Sequence, residues 1–315
     1  MQKIHAWLRA ILFFTLTFIE GCIAFTGGML WSLTLGWFTA YHPLGSMPYW
    51  WSWRVQHWCF QPLGFSWLTE MCADLRGDNR LKIVLFKHPP TILSWAVAYF
   101  TGRYVSQRMA FVLKGSHIFN PMGWGLWALG LGIFTTRFHE WAVWRWWPQL
   151  QRDLHRLSNW WYRYQVSRLM ARAKRTPGGI AIVILPDQRY TAERRAQYLA
   201  KFGQHVPGFA TWQGVLLPRI LGTLELFQAS AGLDVPVVWV NLTLRAKGAE
   251  GWFNFAPYIN GRANVVVQEI TAELRAAAPH RDISQFTQAG LRDWLNTFYG
   301  EQNLLDVAWE GWVDD

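Results

Sequence analysis

A histidine that follows a buried apolar run is the first residue in this sequence whose position suggests chemistry. His88 lies near the end of the stretch KIVLFKHPP, whose β-branched residues predict a strand that Pro89 and Pro90 stop. Because proline suits the first turn of a helix, we expect His88 to lie near the N-terminus of the next helix. A helix N-terminus favours a neutral imidazole, which suits a general base, and it would equally suit a phosphate-binding pocket. The alternative is a surface turn in which the histidine has no chemical role.

The charge balance predicts an anionic partner. The chain of 315 residues has a formal net charge of +10. Lipid headgroups fit better than nucleic acid, because the basic residues over 141–175 lie among Trp and Leu residues. The alternative for this stretch is a solvated, partly buried helix. The 23 tryptophans also favour contact with a membrane interface.

Neither metal nor disulfide chemistry is indicated by the sequence. Cys22, Cys59 and Cys72 have no CxxC spacing, which fits a reduced, cytosolic environment. The HEWAV segment at His139 lacks the second histidine of a metalloprotease helix. We therefore expect no metal site and no bound cofactor.

An apolar segment over residues 7–40 predicts a membrane anchor, either as one long helix or as two shorter helices broken at a glycine pair. Glu20 interrupts this segment, either as a functional carboxylate within the membrane or as a residue at a helix end or at headgroup level. Lys3 and Arg9 at its start, with a basic domain after it, favour both ends facing the cytoplasm and therefore a re-entrant or paired helix, although a single span stays open. We therefore predict an inner-membrane protein whose globular domain faces the cytoplasm.

From about residue 80 onward, short β-branched runs alternate with helical patterns. The predicted strands include LKIVLF, MAFVLK, GIAIVIL, GVLLP, VPVVWVNLTL and ANVVVQEI. The predicted helices include TILSWAVAYF, PMGWGLWALG, TAERRAQYLAKF, RILGTLELFQASAG and DISQFTQAGLRDWLNTFY. This alternation indicates an α/β domain with a mixed or largely parallel sheet flanked by helices. We predict a membrane anchor over 1–45, a Trp-rich interfacial bridge over 46–79 and the α/β domain over 80–315.

Two blocks of this domain resemble the lysophosphatidic acid acyltransferase family of membrane-associated enzymes. MAFVLKGSHIFNPMGWGLWALGLGIFTTR, residues 109–137, is similar to the family's second region, a strand ending in lysine followed by a proline, a Gly-Trp pair and a phenylalanine near an arginine. VILPDQRYTAERRAQYLAKFGQHVPGFATWQGVLLPR, residues 183–219, resembles the family's Phe-Pro-Glu-Gly-Thr-Arg segment with the helix and strand that follow it. The resemblance extends over about residues 82–298 and implies a glycerolipid acyltransferase fold.

Two family motifs are altered in this sequence. The first is a histidine followed five positions later by an aspartate, and here His88 is followed by Leu93. In the third, LPDQR is one residue shorter and lacks the glycine. Pro186 is retained there, Asp187 stands for the family's glutamate, and Arg189 stands for its arginine.

The resemblance implies an enzyme that transfers an acyl chain from acyl-CoA or acyl carrier protein to the hydroxyl of a lysophospholipid. His88 would be the general base, and Asp187 would orient its imidazole, unless the shorter motif aims Asp187 at solvent. Arg189 would bind the phosphate of the acceptor. Lys114 and Arg137 would either assist Arg189 or form structural ion pairs.

Two other functions remain open. Because two motifs are altered, the protein is alternatively a catalytically impaired homologue that binds lipids or protein partners at the membrane. A third possibility is a structural protein of the membrane surface. The sequence leaves open the acyl donor, the chain length, the acceptor headgroup and the oligomeric state.

Overall fold

The structure is a computed structural model that describes most of the chain. The described residues are 2–34, 46–89, 93–114, 126, 132–135, 148–176, 179–186, 192–203, 206, 209, 218, 220–244, 255 and 258–311.

These residues contain eight α-helices and seven strands. The helices are α1 (Gln2–Thr34), α2 (Met47–Val55), α3 (Ser94–Phe100), α4 (Pro148–Arg175), α5 (Ala192–Phe202), α6 (Ile220–Ala229), α7 (Thr271–Ala277) and α8 (Gln288–Gly311). The strands are β1 (Ser66–Cys72), β2 (Lys82–Phe86), β3 (Met109–Lys114), β4 (Gly132–Thr135), β5 (Ala181–Ile184), β6 (Val237–Leu244) and β7 (Arg262–Glu269). Two π-helical segments, Gln56–Phe60 and Thr101–Val105, extend α2 and α3.

The strands form one mixed sheet in the order β1-β7-β6-β2-β5-β3-β4. Neighbours from β6 to β4 pair in parallel, so all five of these strands end at the same edge, here named the carboxyl edge. The opposite edge is the amino edge. β7 runs antiparallel to β6, and β1 runs parallel to β7. The predicted α/β architecture with a mixed sheet and flanking helices is confirmed.

Apolar side chains cover both faces of the sheet, because its central strands are buried on both sides. Ile83 and Val84 follow each other in β2, are both fully buried and point to opposite faces. Val84 belongs to a core that includes α1, α2 and α3. Ile83 belongs to a second core that includes α4, α6, α7 and α8. Continuous apolar strands of this kind are typical of parallel sheets with helices on both faces.

The Trp-rich segment over 46–79 is built into the α/β domain. Its strand β1 pairs with β7, and its helix α2 packs on α3, where the rings of Tyr49 and Tyr99 stack with centroids 6.3 Å apart. Gly102 permits this approach, because a Cβ at that position would overlap the ring of Tyr49. The boundary predicted at residue 80 therefore does not separate two structural units.

Helix α1 is the one helix, within the described residues, that is long and apolar enough to cross a membrane. Its window Trp7–Ala24 has a mean hydropathy of 1.6, and the helix continues through Gly27 and Gly28 without a break. One side is buried against the protein, through Ala10, Phe14, Thr17 and Gly21. The other side is apolar and exposed, through Leu8, Leu12, Leu16, Ile19 and Ile23. The exposed side is suited to contact with lipid chains.

Candidate active site at the carboxyl edge

His88 lies at the carboxyl edge of the sheet, two residues after β2 ends. The chain remains fixed to the sheet up to this point, because the backbone N–H of Lys87 donates to the carbonyl of Val240 in β6 at 2.9 Å. Lys87 and Pro89 are buried, whereas His88 between them is partly exposed. The histidine is therefore held by its neighbours while its imidazole remains accessible.

The imidazole of His88 is oriented by a backbone carbonyl. Its Nδ1 lies 2.9 Å from the carbonyl oxygen of Pro89. A carbonyl oxygen only accepts hydrogen bonds, so Nδ1 carries the proton in this contact. In the neutral ring the basic lone pair is then on Nε2. This is the tautomer that a general base needs when it removes a proton from a hydroxyl group through Nε2.

Leu93 occupies a buried apolar position at the start of α3. It is the N-cap residue of this helix, has no exposed surface and packs in the core together with Trp95. No carboxylate is therefore supplied from this position. The α-helix begins at Ser94, and residues 90–92 between it and Pro89 lie outside the described residues, so the expectation that His88 lies near the N-terminus of a helix stays a prediction.

Two of the predicted cationic residues belong to neighbouring strand ends. Lys114 is the last residue of β3, and its backbone pairs with Thr135, the last residue of β4. Arg137 follows two residues after β4 and lies outside the described residues, as does the side chain of Lys114. The structure brings the two strand ends to the carboxyl edge, and the roles of both side chains stay predictions.

The segment that contains Asp187 and Arg189 follows the strand next to β2. Leu85 of β2 pairs with Ile184 of β5, and His88 and Asp187 each come three residues after this pair. Asp187 and Arg189 lie outside the described residues. The proximity of both residues to the histidine, and a contact between Asp187 and His88, stay predictions.

An aromatic cluster lies between α1 and the strand ends. Phe60 is at its centre, with ring centroids 4.9 Å from Trp95 and 5.5 Å from Tyr258. The indole Nε1 of Trp95 and the hydroxyl of Tyr258 are buried and have no hydrogen-bond partner within the part of the chain that the structure describes. Burial also raises the pKa of the Tyr258 phenol, so this hydroxyl keeps its proton near neutral pH. The cluster provides an apolar wall with two buried donors.

Two contributions to this region are not predicted by the sequence. The carbonyl of Pro89 is a backbone group that every residue type has, so no residue type marks it in the sequence. Arg54 forms an ion pair with Glu20 and lies over the rings of Trp50 and Trp58, at 3.7 and 4.8 Å from their centroids. A basic residue among tryptophans in the segment after the anchor is the signal for this second contribution. Glu20 is therefore a paired carboxylate that joins α1 to α2.

Comparison of the chain with models of known protein families and with curated proteins gives no match. Within the described residues, no three His, Cys, Asp or Glu side chains lie together as a metal site would require.

Proposed function

We propose that this protein is a membrane-bound acyltransferase that transfers an acyl chain from acyl-CoA or acyl carrier protein to the hydroxyl of a lysophospholipid such as lysophosphatidate. The observation that carries this proposal is the contact between His88 Nδ1 and the carbonyl of Pro89. It makes Nε2 the basic atom of the neutral imidazole of a partly exposed residue, at the edge where sites of parallel α/β sheets occur. The glycerolipid acyltransferase fold is part of the same proposal.

The reaction would need one proton carrier. Nε2 of His88 takes the proton of the acceptor hydroxyl as its oxygen attacks the thioester carbonyl carbon. The tetrahedral intermediate collapses, the carbon–sulfur bond breaks, and the thiolate takes the proton from the imidazolium. The products are a phospholipid ester and a free thiol. The Pro89 carbonyl would orient the ring but would stabilise the imidazolium less than a carboxylate does, because it carries only a partial charge.

The acceptor would approach from the membrane. The exposed apolar side of α1 and the pair of Glu20 and Arg54 support an anchored protein whose carboxyl edge lies near lipid headgroups. Arg189, with Lys114 and Arg137, would bind the phosphate of the lysolipid. We place the α/β domain on the cytoplasmic side of the inner membrane, where acyl-CoA and acyl carrier protein are present.

The buried Leu93 favours a second candidate, a catalytically impaired homologue that binds lipids. In a serine protease triad, loss of the correct orientation by the carboxylate lowers the rate by about 10⁴. If the Pro89 carbonyl does not replace that function and Asp187 does not contribute, the protein would keep a lipid site without useful turnover.

The test is acyl transfer by the purified full-length protein in detergent. Labelled acyl-CoA and acyl carrier protein donors are supplied with a panel of lysolipids, and lysolipid binding is measured in parallel. The test variant is His88→Ala. The matched control is His280→Ala, because His280 is exposed on a turn after β7, which ends at the amino edge.

Transfer by the wild type and by His280→Ala, with loss in His88→Ala, would support the proposed enzyme. Lysolipid binding without transfer in any protein would instead support the impaired homologue. Absence of both binding and transfer would contradict both candidates and leave a structural protein of the membrane surface.

A further inference from the structure

Helix α4 has a second apolar stripe, which does not pack against the sheet. Its inner side, which includes Val166, Leu169 and Met170, is buried in the core below the sheet. Its outer side contains Leu157, Trp160 and Tyr164, at helical spacings of three and four residues, and these side chains are 48%, 59% and 43% exposed. These three residues are named here the outer stripe. A folded domain seldom leaves such side chains adjacent and exposed without a use.

The outer stripe is an ordered aromatic surface. The rings of Trp160 and Tyr164 stack with centroids 5.7 Å apart and an interplanar angle of 10°. The guanidinium of Arg168 lies 5.8 Å from the centroid of the Tyr164 ring. Tryptophan and tyrosine with adjacent arginine are the residues preferred at the interface between lipid chains and headgroups.

Helix α4 is strongly basic. Its sequence contains seven Lys and Arg residues and one acidic residue. Arg156 and Arg163 border the outer stripe, and Arg163 is held in place by Glu225 of α6 at 2.9 Å. Arg156 is highly exposed and lies 3.9 Å from Asp153. An apolar centre with a basic border is complementary to a membrane surface that contains anionic lipids.

The topology places the first half of α4 near the carboxyl edge. α4 connects β4 to β5, which are parallel strands of one sheet, so it must return from the carboxyl edge to the amino edge. Trp160 lies 15 residues before Arg175, the last residue of α4, which corresponds to about 22 Å of helix. This exceeds the length of the four-residue strand β5, about 13 Å, so the outer stripe reaches the level of the strand ends and extends beyond it.

Helices α1 and α4 lie on opposite faces of the sheet, because they belong to the two different cores. Both approach the carboxyl edge, since α1 contacts Phe255 in the connection after β6. A bilayer surface along that edge would therefore meet α1 on one side of His88 and the outer stripe on the other.

We propose that the outer stripe of α4 is a second membrane contact, which binds the headgroup region of bilayers that contain anionic lipids. This proposal depends on the membrane attachment proposed above and is independent of acyl transfer. In this proposal α1 attaches the protein to the membrane, and α4 orients the carboxyl edge towards the bilayer surface.

The experiment uses the full-length protein with one fluorescent label. In a Cys22→Ala background, Cys59 and Cys72 are retained, because burial raises the pKa of both thiols to about 11 and makes them slow to react at neutral pH. Ser167→Cys adds a label site beside the outer stripe, and Ala276→Cys on α7 adds the matched control at the amino edge; both residues are exposed. The background protein without an added cysteine measures unspecific labelling.

The labelled proteins are reconstituted into vesicles that carry nitroxide-headgroup lipids, with or without phosphatidylglycerol. We expect quenching at position 167 in anionic vesicles, weaker quenching at 167 in zwitterionic vesicles and little quenching at 276. Arg156→Gln and Arg168→Gln should each weaken binding of the outer stripe to anionic vesicles about fivefold, measured as quenching at position 167. In a flotation assay, both variants should still move with the vesicles.

Flotation without quenching at 167 would overturn the proposal and leave membrane attachment by α1 intact. Equal quenching with and without anionic lipid would also overturn it. Failure to float would contradict membrane attachment as well, whereas the transfer assay in detergent would be unaffected. A spectral change that depends on protein concentration or on added nucleic acid, without quenching, would assign the outer stripe to a second copy or to nucleic acid instead.

Discussion

The ring of Phe14 in α1 meets the ring of Phe255 edge to face, with centroids 5.6 Å apart and an interplanar angle of 72°. A second contact lies further along α1, where the indole Nε1 of Trp51 donates to the carbonyl of Thr17 at 2.8 Å. The close approach needs Gly21, because a Cβ there would lie 2.7 Å from that Nε1. The apolar helix is therefore packed onto the domain.

Phe14→Ala should weaken this packing. Phe14 is 6% exposed, and loss of a buried phenylalanine lowers the free energy of unfolding by about 3 kcal/mol or more. Urea unfolding in detergent measures the change. Leu16→Ala is the control, because Leu16 is 51% exposed on the outer side of α1 and should change stability in detergent by no more than about 0.5 kcal/mol. Equal losses for both variants would show that the inner side of α1 is not packed as described.

His88→Asn should separate the fold from the proposed chemistry. The asparagine amide keeps an N–H donor near the carbonyl of Pro89, so we expect an unchanged melting temperature. It lacks a basic nitrogen, and loss of a general base lowers a rate by about 10² to 10⁴. The measurement is kcat for acyl transfer beside the melting temperature. Full activity in this variant would exclude His88 as the base.

Leu93→Asp recreates the family's histidine and aspartate spacing, and we expect it to destabilise the protein. An N-cap aspartate contributes about 1 kcal/mol, whereas loss of a buried leucine costs about 2 to 5 kcal/mol before the burial of a carboxylate is added. Thermal unfolding of Leu93→Asp, with Leu93→Met as the size-matched control, measures the difference. A stable and more active Leu93→Asp variant would show that this position faces the site and not the core.

Asp234→Asn should remove a pH-dependent contribution to stability. Hydrogen bonds from Arg275 and Arg80 lower the pKa of Asp234, so its carboxylate stabilises the fold at pH values above its ordinary pKa, about 4. That contribution is lost progressively as the pH falls from this value through the lower pKa of the folded state. Asp234 is 59% exposed, so we expect a difference of about 0.5 kcal/mol at pH 7 that is smaller at pH 3. Urea unfolding of the wild type and of Asp234→Asn at the two pH values measures this difference in the free energy of unfolding. A difference that does not change with pH would contradict its origin in the ion pairs.

The buried central strands are predictable from sequence, and the edge strands are not. KIVLF and VVWVNLTL are apolar on both faces, and they form β2 and β6 as predicted. β1 was missed because SWLTEMC is a partly exposed edge strand without clear alternation. β4 was missed because GIFT is an edge strand with only two strongly apolar residues, whereas the equally short central strand β5 is apolar throughout. The predicted strand GVLLP and the predicted helix PMGWGLWALG lie almost entirely outside the described residues.

The candidate site is predictable at the level of strand ends but not of hydrogen bonds. The placement of His88 after β2 follows from strand length and from the prolines. The burial of Leu93 at the N-cap of α3 does not follow, because it depends on how the core packs and not on a local preference. The orienting contact with the Pro89 carbonyl depends on a side-chain rotamer, which no sequence pattern encodes.

The strand order also sets the sequence in which the protein is able to fold during synthesis. Among the strands that the structure describes, β1 pairs with β7 alone, and Arg262 follows Cys72 by 190 residues. At a translation rate of about 5 to 20 residues per second, about 10 to 40 s pass between the synthesis of β1 and the synthesis of its partner β7. The interval between the synthesis of the core strand β2 and that of its partner β6 is almost as long. Early insertion of α1 into a bilayer would hold the chain at the membrane through this interval, before the sheet that buries its apolar strands exists.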